Sequence, residues 1–383
     1  MSSRHDNFRL ALLLCIFAHA AGCQRETAEP AFTTDRLLDR PTENFAKAMQ
    51  PGAIRFPVDH GPHPRYRTEW WYFTGNLLGG SQRHFGYELT FFRYALADDA
   101  SSRSSAWATD QIYMAHFAVT DTAGDRHLTA ERIERAALDL AGARATPFRV
   151  WVVDWSAASV DEALFPMRLR AQSGDAEIDL NLVAEKPVVL HGDRGLSRKG
   201  AAPGNASYYY SFTRLATSGS LRIGDSRFDV AGRSWFDREW STSSLEDDGG
   251  WDWFALQLDD GTDIMFYRLR RADGTSSPFS GGSIVAADGS RRPLAAADVV
   301  VESRDTWTSQ TSGITYPMGW RLRVPGLGLA LNVEPVLQDQ EMDLSVRYWE
   351  GAVRVHGRAG NGRAVTGDGY VELAGYGGPV PGT

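Results

Sequence analysis

The sequence predicts an all-β protein: two tandem antiparallel barrels, closed or nearly closed, produced by internal duplication, with little helix. Three observations carry this reading. The 383 residues include 38 Gly and 17 Pro, which suits many short elements joined by turns. Residues 86–94 alternate, with Leu89, Phe91 and Arg93 on one face and Glu88, Thr90 and Phe92 on the other, the period of a strand. The chain also repeats itself. Trp70, Phe73 and Leu77 find counterparts in Trp251, Phe254 and Leu258, and Phe91 and Arg93 in Phe266 and Arg268. Further along, Pro166 and Met167 match Pro317 and Met318, Leu180 and Asn181 match Leu331 and Asn332, and Gly232, Trp235 and Asp237 match Gly367, Tyr370 and Glu372. The separation between matched segments only shrinks along the chain, as two copies with shorter loops in the second require.

Taken in order, residues 1–23 read as a secretory signal. Arg4 and Arg9 precede the apolar run from Leu10 to Ala18, which is too short for a span of roughly 20 residues. Ala20, Ala21, Gly22 and Cys23 follow and resemble a bacterial lipobox, with Cys23 as the acylated first residue of the mature chain. The alternative is plain cleavage near Ala20. The expectation is a protein facing the periplasm, held to the membrane through Cys23. The other cysteine, Cys15, leaves with the signal, so neither a disulfide nor a thiol site is expected. Residues 24–50 are polar and read as a tether.

The first copy is placed at residues 51–240 and the second at 250–383, with a turn-rich joint around Asp247, Asp248, Gly249 and Gly250. Within the first copy, 129–142 reads as a short helix with Thr129 as N-cap and Gly142 at its end. Residues 319–324 and 329–333 read as strands, and Asp259-Asp260-Gly261, Asp273-Gly274 and Ala287-Asp288-Gly289 as turns. A closed barrel has no exposed edge and can hold one apolar ligand.

Composition narrows the function. The net charge is −8 without a Lys/Arg run, so nucleic acid is not an expected partner. The chain has no Gly-x-Ser-x-Gly elbow, P-loop, dinucleotide-binding glycine pattern or His-Glu-x-x-His helix. Serine hydrolase, NTPase, nicotinamide and zincin chemistry are disfavoured, and no cofactor or metal is expected.

Residues 67–77, residues 234–241 (Ser-Trp-Phe-Asp-Arg-Glu-Trp-Ser) and residues 250–254 (Gly-Trp-Asp-Trp-Phe) resemble the AttH and carotenoid 1,2-hydratase (hydroxyneurosporene synthase) family, on the side of its AttH-like secreted branch. The resemblance covers nearly all of the mature chain. It implies paired lipocalin-like domains and, as partners, a hydrophobic or lipid ligand and a transporter permease. In the hydratases an Asp in the matching motif protonates an isoprenoid double bond, and Asp237 takes that position. Trp235 stands where the hydratases carry Tyr, and Tyr208 and Tyr210 lie near the places of their His and Trp. Relatives in the branch are labelled secreted hydrolases, yet no nucleophile is visible here.

On a strand, Trp235, Asp237 and Glu239 share one face while Ser234, Phe236, Arg238 and Trp240 share the other. A carboxyl buried among aromatics holds its proton near neutral pH and can act as a general acid. Asp237 is therefore the candidate acid, with Glu239, Glu69 or His116 positioning water. The alternative is that Asp237 or Glu239 forms a salt bridge with Arg238 or Arg233. Glu69 lies close to His60 and His63 in sequence, a group able to line a pocket mouth or to hydrogen-bond a loop. His116, in an apolar strand, is either a satisfied core residue or a pocket acid or base. Trp71, Trp235, Tyr208, Tyr210 and Trp253 are the candidate ligand-stacking aromatics, and Asp252 is a candidate pocket carboxylate. The overall expectation is a ligand-binding protein with acid-catalysed hydratase or isomerase activity, or a non-catalytic lipid carrier serving an exporter.

Overall fold

The computed structural model describes residues 44–97, 105, 107–242 and 248–378. The signal, Cys23 and most of the expected tether lie outside the described residues. Residues 44–50, expected to belong to the tether, lie against the first domain: Ala48 is buried beside Tyr208, Tyr210 and Trp240.

The first domain contributes β1 (Thr68–Leu78), β2 (His84–Ala95), β3 (Gln111–Asp121), β4 (Arg126–Arg135), β5 (Ala141–Ala145), β6 (Phe148–Val152) and β7 (Trp155–Ser159). It continues with β8 (Met167–Ser173), β9 (Ala176–Ala184), β10 (Val189–Leu190), β11 (Leu196–Arg198), β12 (Ala206–Ile223) and β13 (Ser226–Ser241). The second contributes β14 (Asp248–Leu258), β15 (Asp263–Arg271), β16 (Gly281–Val285), β17 (Arg291–Ala295) and β18 (Val300–Thr308). It ends with β19 (Thr315–Val324), β20 (Leu329–Pro335), β21 (Glu341–Asp343), β22 (Arg347–Arg358) and β23 (Ala364–Ala374).

The strand orders are β4-β3-β2-β1-β13-β12-β9-β8-β7-β6-β5 and β17-β16-β15-β14-β23-β22-β20-β19-β18. In both sheets the first strand is hydrogen-bonded between the second and the last, so one wiring occurs twice. The register repeats as well: Tyr72 lies opposite Asp237 in the first sheet, and Trp253 opposite Glu372 in the second. The first sheet curls into a nearly closed barrel and the second into a half-barrel, the lipocalin-like tandem arrangement.

Among the described residues, helical structure is confined to single 3-10 turns at Val58–His60, Gly80–Gln82, Ala296–Asp298 and Pro325–Leu327. The helix expected over 129–142 is therefore corrected. Its first half is edge strand β4, paired along its length with β3, and Leu138 and Asp139 turn with positive φ into β5. The ladder beside β3 outweighs the local helix signal of Thr129 and Gly142.

The hollow of each sheet is filled. Trp71, Phe73, Leu89, Phe91, Phe117, Trp155, Leu180 and Phe236 pack inside the first. Phe254, Phe266, Trp320, Leu331, Trp349 and Val371 pack inside the second. Side chains packed in this way occupy the interior of each sheet. Space opens instead between them, where the outer faces of the two sheets meet. Asn76 Nδ2 donates to the Gly369 carbonyl at 3.0 Å, and Gln257 Nε2 to the carbonyls of Thr213 and Ser234 at 2.6 and 3.0 Å. Asp263 of the second sheet is gripped by Lys186 and Arg214 of the first, each at 2.6 Å. At Gly86 a side-chain carbon would stand 2.6 Å from Ala352 Cβ, so glycine there lets the sheets approach.

Candidate active site between the two barrels

Alternation decides what reaches the cleft. On β13, Phe236 enters the first barrel core and Arg238 lies buried beside it, whereas Trp235, Asp237 and Glu239 point outward to the second domain. Asp237 and Glu239 line a cavity of about 170 Å³ with Trp70, Tyr72, Tyr209, Lys199 and His116. The second sheet closes it with Trp251, Trp253, Tyr267, Tyr348, Glu350 and Glu372. At roughly 10–15 Å³ per water-sized sphere, that space takes a prenyl-sized fragment rather than a single water.

Asp237 accepts hydrogen bonds from Tyr209 Oη, Ser211 Oγ and Trp235 Nε1. Trp253 of the other domain donates in turn to Tyr209 Oη at 3.1 Å. Burial pushes the Asp237 carboxyl up to about 7; the three donors oppose the rise and the nearby Glu239 adds to it. Glu239 has a cation beside it, Lys199 Nζ at 3.1 Å. That ammonium also sits over the Tyr267 ring at 4.0 Å. Burial works against the charge of Lys199, yet Glu239 keeps its pKa above the ordinary value.

The second sheet supplies carboxyls that form no ion pair among the described residues. Burial pushes Glu372 up to about 7, with Glu239 and Asp237 adding to it. Burial, and then Glu372 and Glu88, raise Glu350 well above the carboxylate range. Tyr72 Oη donates to Glu350 Oε1, while Oε2 of the same residue has no hydrogen-bond partner. Both glutamates are raised because an ionised carboxyl in a buried, aromatic surrounding loses the solvation that water gives it.

The remaining residues singled out in the sequence are placed as follows. Glu69 reaches the cavity wall, but its carboxylate is held by Arg93 and Arg238. It also accepts from His63 N at 2.9 Å. Burial alone would raise Glu69; the two arginines hold it well below the ordinary value. His63 Nε2 lies 3.0 Å from Asp59 and His60 Nδ1 2.7 Å from Tyr210 Oη, so this cluster is a hydrogen-bonded loop. Among the described residues, no group of three or more His, Cys, Asp or Glu side chains is arranged to hold a metal.

Trp71 does not line the cleft: it belongs to the first barrel core, where its Nε1 donates to the His60 carbonyl at 2.9 Å. Tyr208 and Tyr210 face away from the cavity and pack with Trp240 and Ile54. The alternation that turns them away presents Tyr209 instead. Asp252 points away from Trp251 and Trp253 and is paired with Arg268 at 2.6 Å and with Arg270. His116 and Trp253 do line the cleft, whereas Trp235 packs behind the wall with Tyr209 and Trp253 and reaches the site through its bond to Asp237.

Sequence reading missed Tyr209, Lys199, Tyr348, Glu350 and Glu372. A signal existed for Glu372, which is the repeat counterpart of Asp237. Lys199 was visible as one of few lysines. Nothing in the sequence marked Glu350 or Tyr348.

The sequence pattern of AttH-like proteins matches residues 47–376. Kievitone hydratase of Fusarium solani subsp. phaseoli is 24% identical over 219 residues. That match spans 53% of this chain and 59% of the relative, so the chain covers less than two thirds of that relative's length. The crystal structure of a Nitrosomonas europaea protein described as AttH superposes with a TM-score of 0.77 at 32% identity, over 87% of this chain and 100% of that one. The structure of kievitone hydratase from Nectria haematococca superposes with a TM-score of 0.65 at 16% identity, over 86% and 96%, a likeness of fold. With the pattern running through both sheets and the inter-barrel cleft, the chain belongs to the AttH-like family.

Proposed function

We propose that this protein binds an extended apolar ligand, an isoprenoid or acyl chain, in the cleft between its barrels. There Asp237 protonates a double bond of the ligand, leading to hydration or isomerisation. One observation carries the reading: a carboxyl lies buried among Trp235, Tyr209 and Trp253 and holds its proton up to about pH 7. The hydratase relative lends it support.

The chemistry follows from that placement. The Asp237 proton passes to one alkene carbon and a cation develops on its more substituted neighbour. Trp70, Trp253 and Tyr209 offer π faces to that charge. For hydration, water bonds to the cationic carbon and loses a proton; Glu239, fixed by Lys199, orients it. A general acid of this kind contributes about 10²–10⁴-fold. The reading includes export and anchoring through an acylated Cys23, which places the cleft on the periplasmic side of the envelope. A transporter permease is the partner in the carrier form of the proposal.

The test uses the full chain with farnesol, geranylgeraniol and oleic acid in H₂¹⁸O, read by mass spectrometry for an alcohol carrying ¹⁸O. Asp237→Asn should lower turnover about 10²–10⁴-fold while probe affinity is kept. Binding without turnover in the wild type would remove the catalytic role and leave the carrier reading. An unoccupied cleft with no affinity for any probe would sink both. A diacylglyceryl mass on the N-terminal Cys23 peptide, absent in Cys23→Ala, checks the anchor.

A further inference from the structure

His116 stands mid-strand on β3 with its side chain directed out of the first barrel and fully buried. Its ring packs against Phe92 at 5.2 Å and Tyr348 at 5.6 Å between centroids. Each ring nitrogen meets a different group. Nδ1 lies 2.7 Å from Tyr348 Oη and Nε2 lies 3.2 Å from Glu131 Oε1. Tyr348 comes from the second sheet; His116 and Glu131 come from neighbouring strands of the first, where they sit opposite one another.

Glu131 is the outer end of this line. It is half-buried on edge strand β4 and accepts from Ser345 N of the second domain at 3.1 Å, and from Ser345 Oγ. Burial would raise its pKa, but the bonds from His116 and Ser345 hold it below the ordinary value. The Glu131 carboxylate stands 3.2 Å from Nε2 without a hydrogen bond of good geometry, and its charge favours the hydrogen on that nitrogen, which leaves the Nδ1 lone pair to accept from the phenol. Tyr348 is the inner end, with its ring on the cavity wall beside Glu350 and Glu372. Burial, with Glu88, Glu350, Glu372 and Tyr94 around it, raises the phenol well above its ordinary value. Tyr348 is therefore a neutral donor and acceptor rather than a phenolate.

We infer that Tyr348, His116 and Glu131 form a second proton-transfer unit of the cleft, which takes up the proton released when water adds to the cation made by Asp237. The inference rests on the hydration reading above. The water oxygen bonds to the cationic carbon, and its proton passes to Tyr348 Oη as the Tyr348 hydroxyl proton moves to His116 Nδ1. The products are the alcohol, neutral Tyr348, imidazolium His116 against carboxylate Glu131, and ionised Asp237. One proton returned to Asp237 and one given up to solvent at the half-buried Glu131 end restore the start. Tyr348 is the catalytic residue of the unit; Glu131 is a positioning residue acting through His116, the part a carboxylate plays behind a catalytic imidazole.

The experiment has two arms on the full chain. In ¹⁵N-labelled protein, two-bond ¹H–¹⁵N correlation should show neutral His116 with its proton on Nε2. Tyr348→Phe should move the Nδ1 resonance, and Glu131→Gln the Nε2 resonance. A proton on Nδ1 would overturn the inference. In the ¹⁸O assay, Tyr348→Phe and Glu131→Gln should each lower kcat roughly 10²-fold with KM unchanged, and Glu131→Asp should recover part of it. If Asp237→Asn abolishes turnover while these two variants keep full kcat, this inference falls and the role of Asp237 stands. If the wild type hydrates no probe, the hydration reading falls and takes the relay with it.

Discussion

Glu69 and Asp237 are both buried carboxyls on neighbouring strands of one sheet, yet their pKa values are driven in opposite directions. Glu69 faces inward and meets two guanidiniums, Arg93 and Arg238. Asp237 faces outward into the cleft and accepts from hydroxyl and indole donors, while the nearby Lys199 ammonium is paired with Glu239 instead. The first is driven well below its ordinary pKa and the second up to about 7. Desolvation is the largest influence on both, so burial does not choose the state; the partner does. A sheet with a carboxyl on one face turned to arginines and a carboxyl on the other turned to aromatics provides structure on one side and an acid on the other.

The comparison breaks most visibly on the Glu69 side. Arg238→Met removes a fully buried guanidinium that also donates to the Gly61 carbonyl at 2.6 Å and lies over the Trp71 ring at 3.9 Å. Leaving Glu69 short of a cation should cost about 3–5 kcal/mol, read as a shift in urea midpoint at unchanged slope. An effect under about 1 kcal/mol would mean Arg93 alone suffices to hold the charge.

The Asp237 side should show as a pH dependence of stability. Asp237 and Glu372 are raised from ordinary values of 3.8 and 4.5 to about 7. The folded chain therefore binds protons that the unfolded chain has lost across that interval. Their contribution is intact below about pH 4, is lost as pH rises through about 7, and then levels off. The expected fall is on the order of a few kcal/mol. It should flatten in Asp237→Asn, which becomes the more stable protein above neutrality. Stability rising over the same interval would show that the cleft carboxyls are ionised. Turnover should fall over the same range as Asp237 loses its proton.

Glu239 has Lys199 beside it at 3.1 Å. Lys199→Met should leave it unpaired in the cleft, lowering stability by about 1–3 kcal/mol while probe affinity changes little. The smallest effect is expected at Arg304–Glu334, where both partners are about half exposed at 54% and 49%. Breaking that pair should change stability by less than about 1 kcal/mol, and a larger value would undo the argument that burial gives a partner its weight.

Much of this was legible in the chain. Alternation separated Trp235, Asp237 and Glu239 from Phe236, Arg238 and Trp240, and those sets do occupy different faces. The matched segments forecast a repeated wiring that the strand orders display, and they paired Asp237 with Glu372 before the second carboxyl had a visible purpose. Residues 208–210 show where legibility stops. Three consecutive tyrosines offer both faces of β12 equally, and the register shift between Phe212 and Leu215 breaks the phase that would connect them to the strand beyond. The 129–142 stretch fails for a related reason: its capping residues are local signals, and pairing with β3 is not.

The sequence by itself determined the strands, their two-sidedness and their duplication, because alternation and repetition are properties of neighbours along the chain. Only the tertiary structure decided that the hollows fill with side chains and that the outer faces meet to enclose Asp237, Glu350, Glu372 and Tyr348. Which face of a sheet is buried depends on how far it curls and what packs on its back, and both are set by contacts between residues hundreds of positions apart, as between Tyr72 and Glu350.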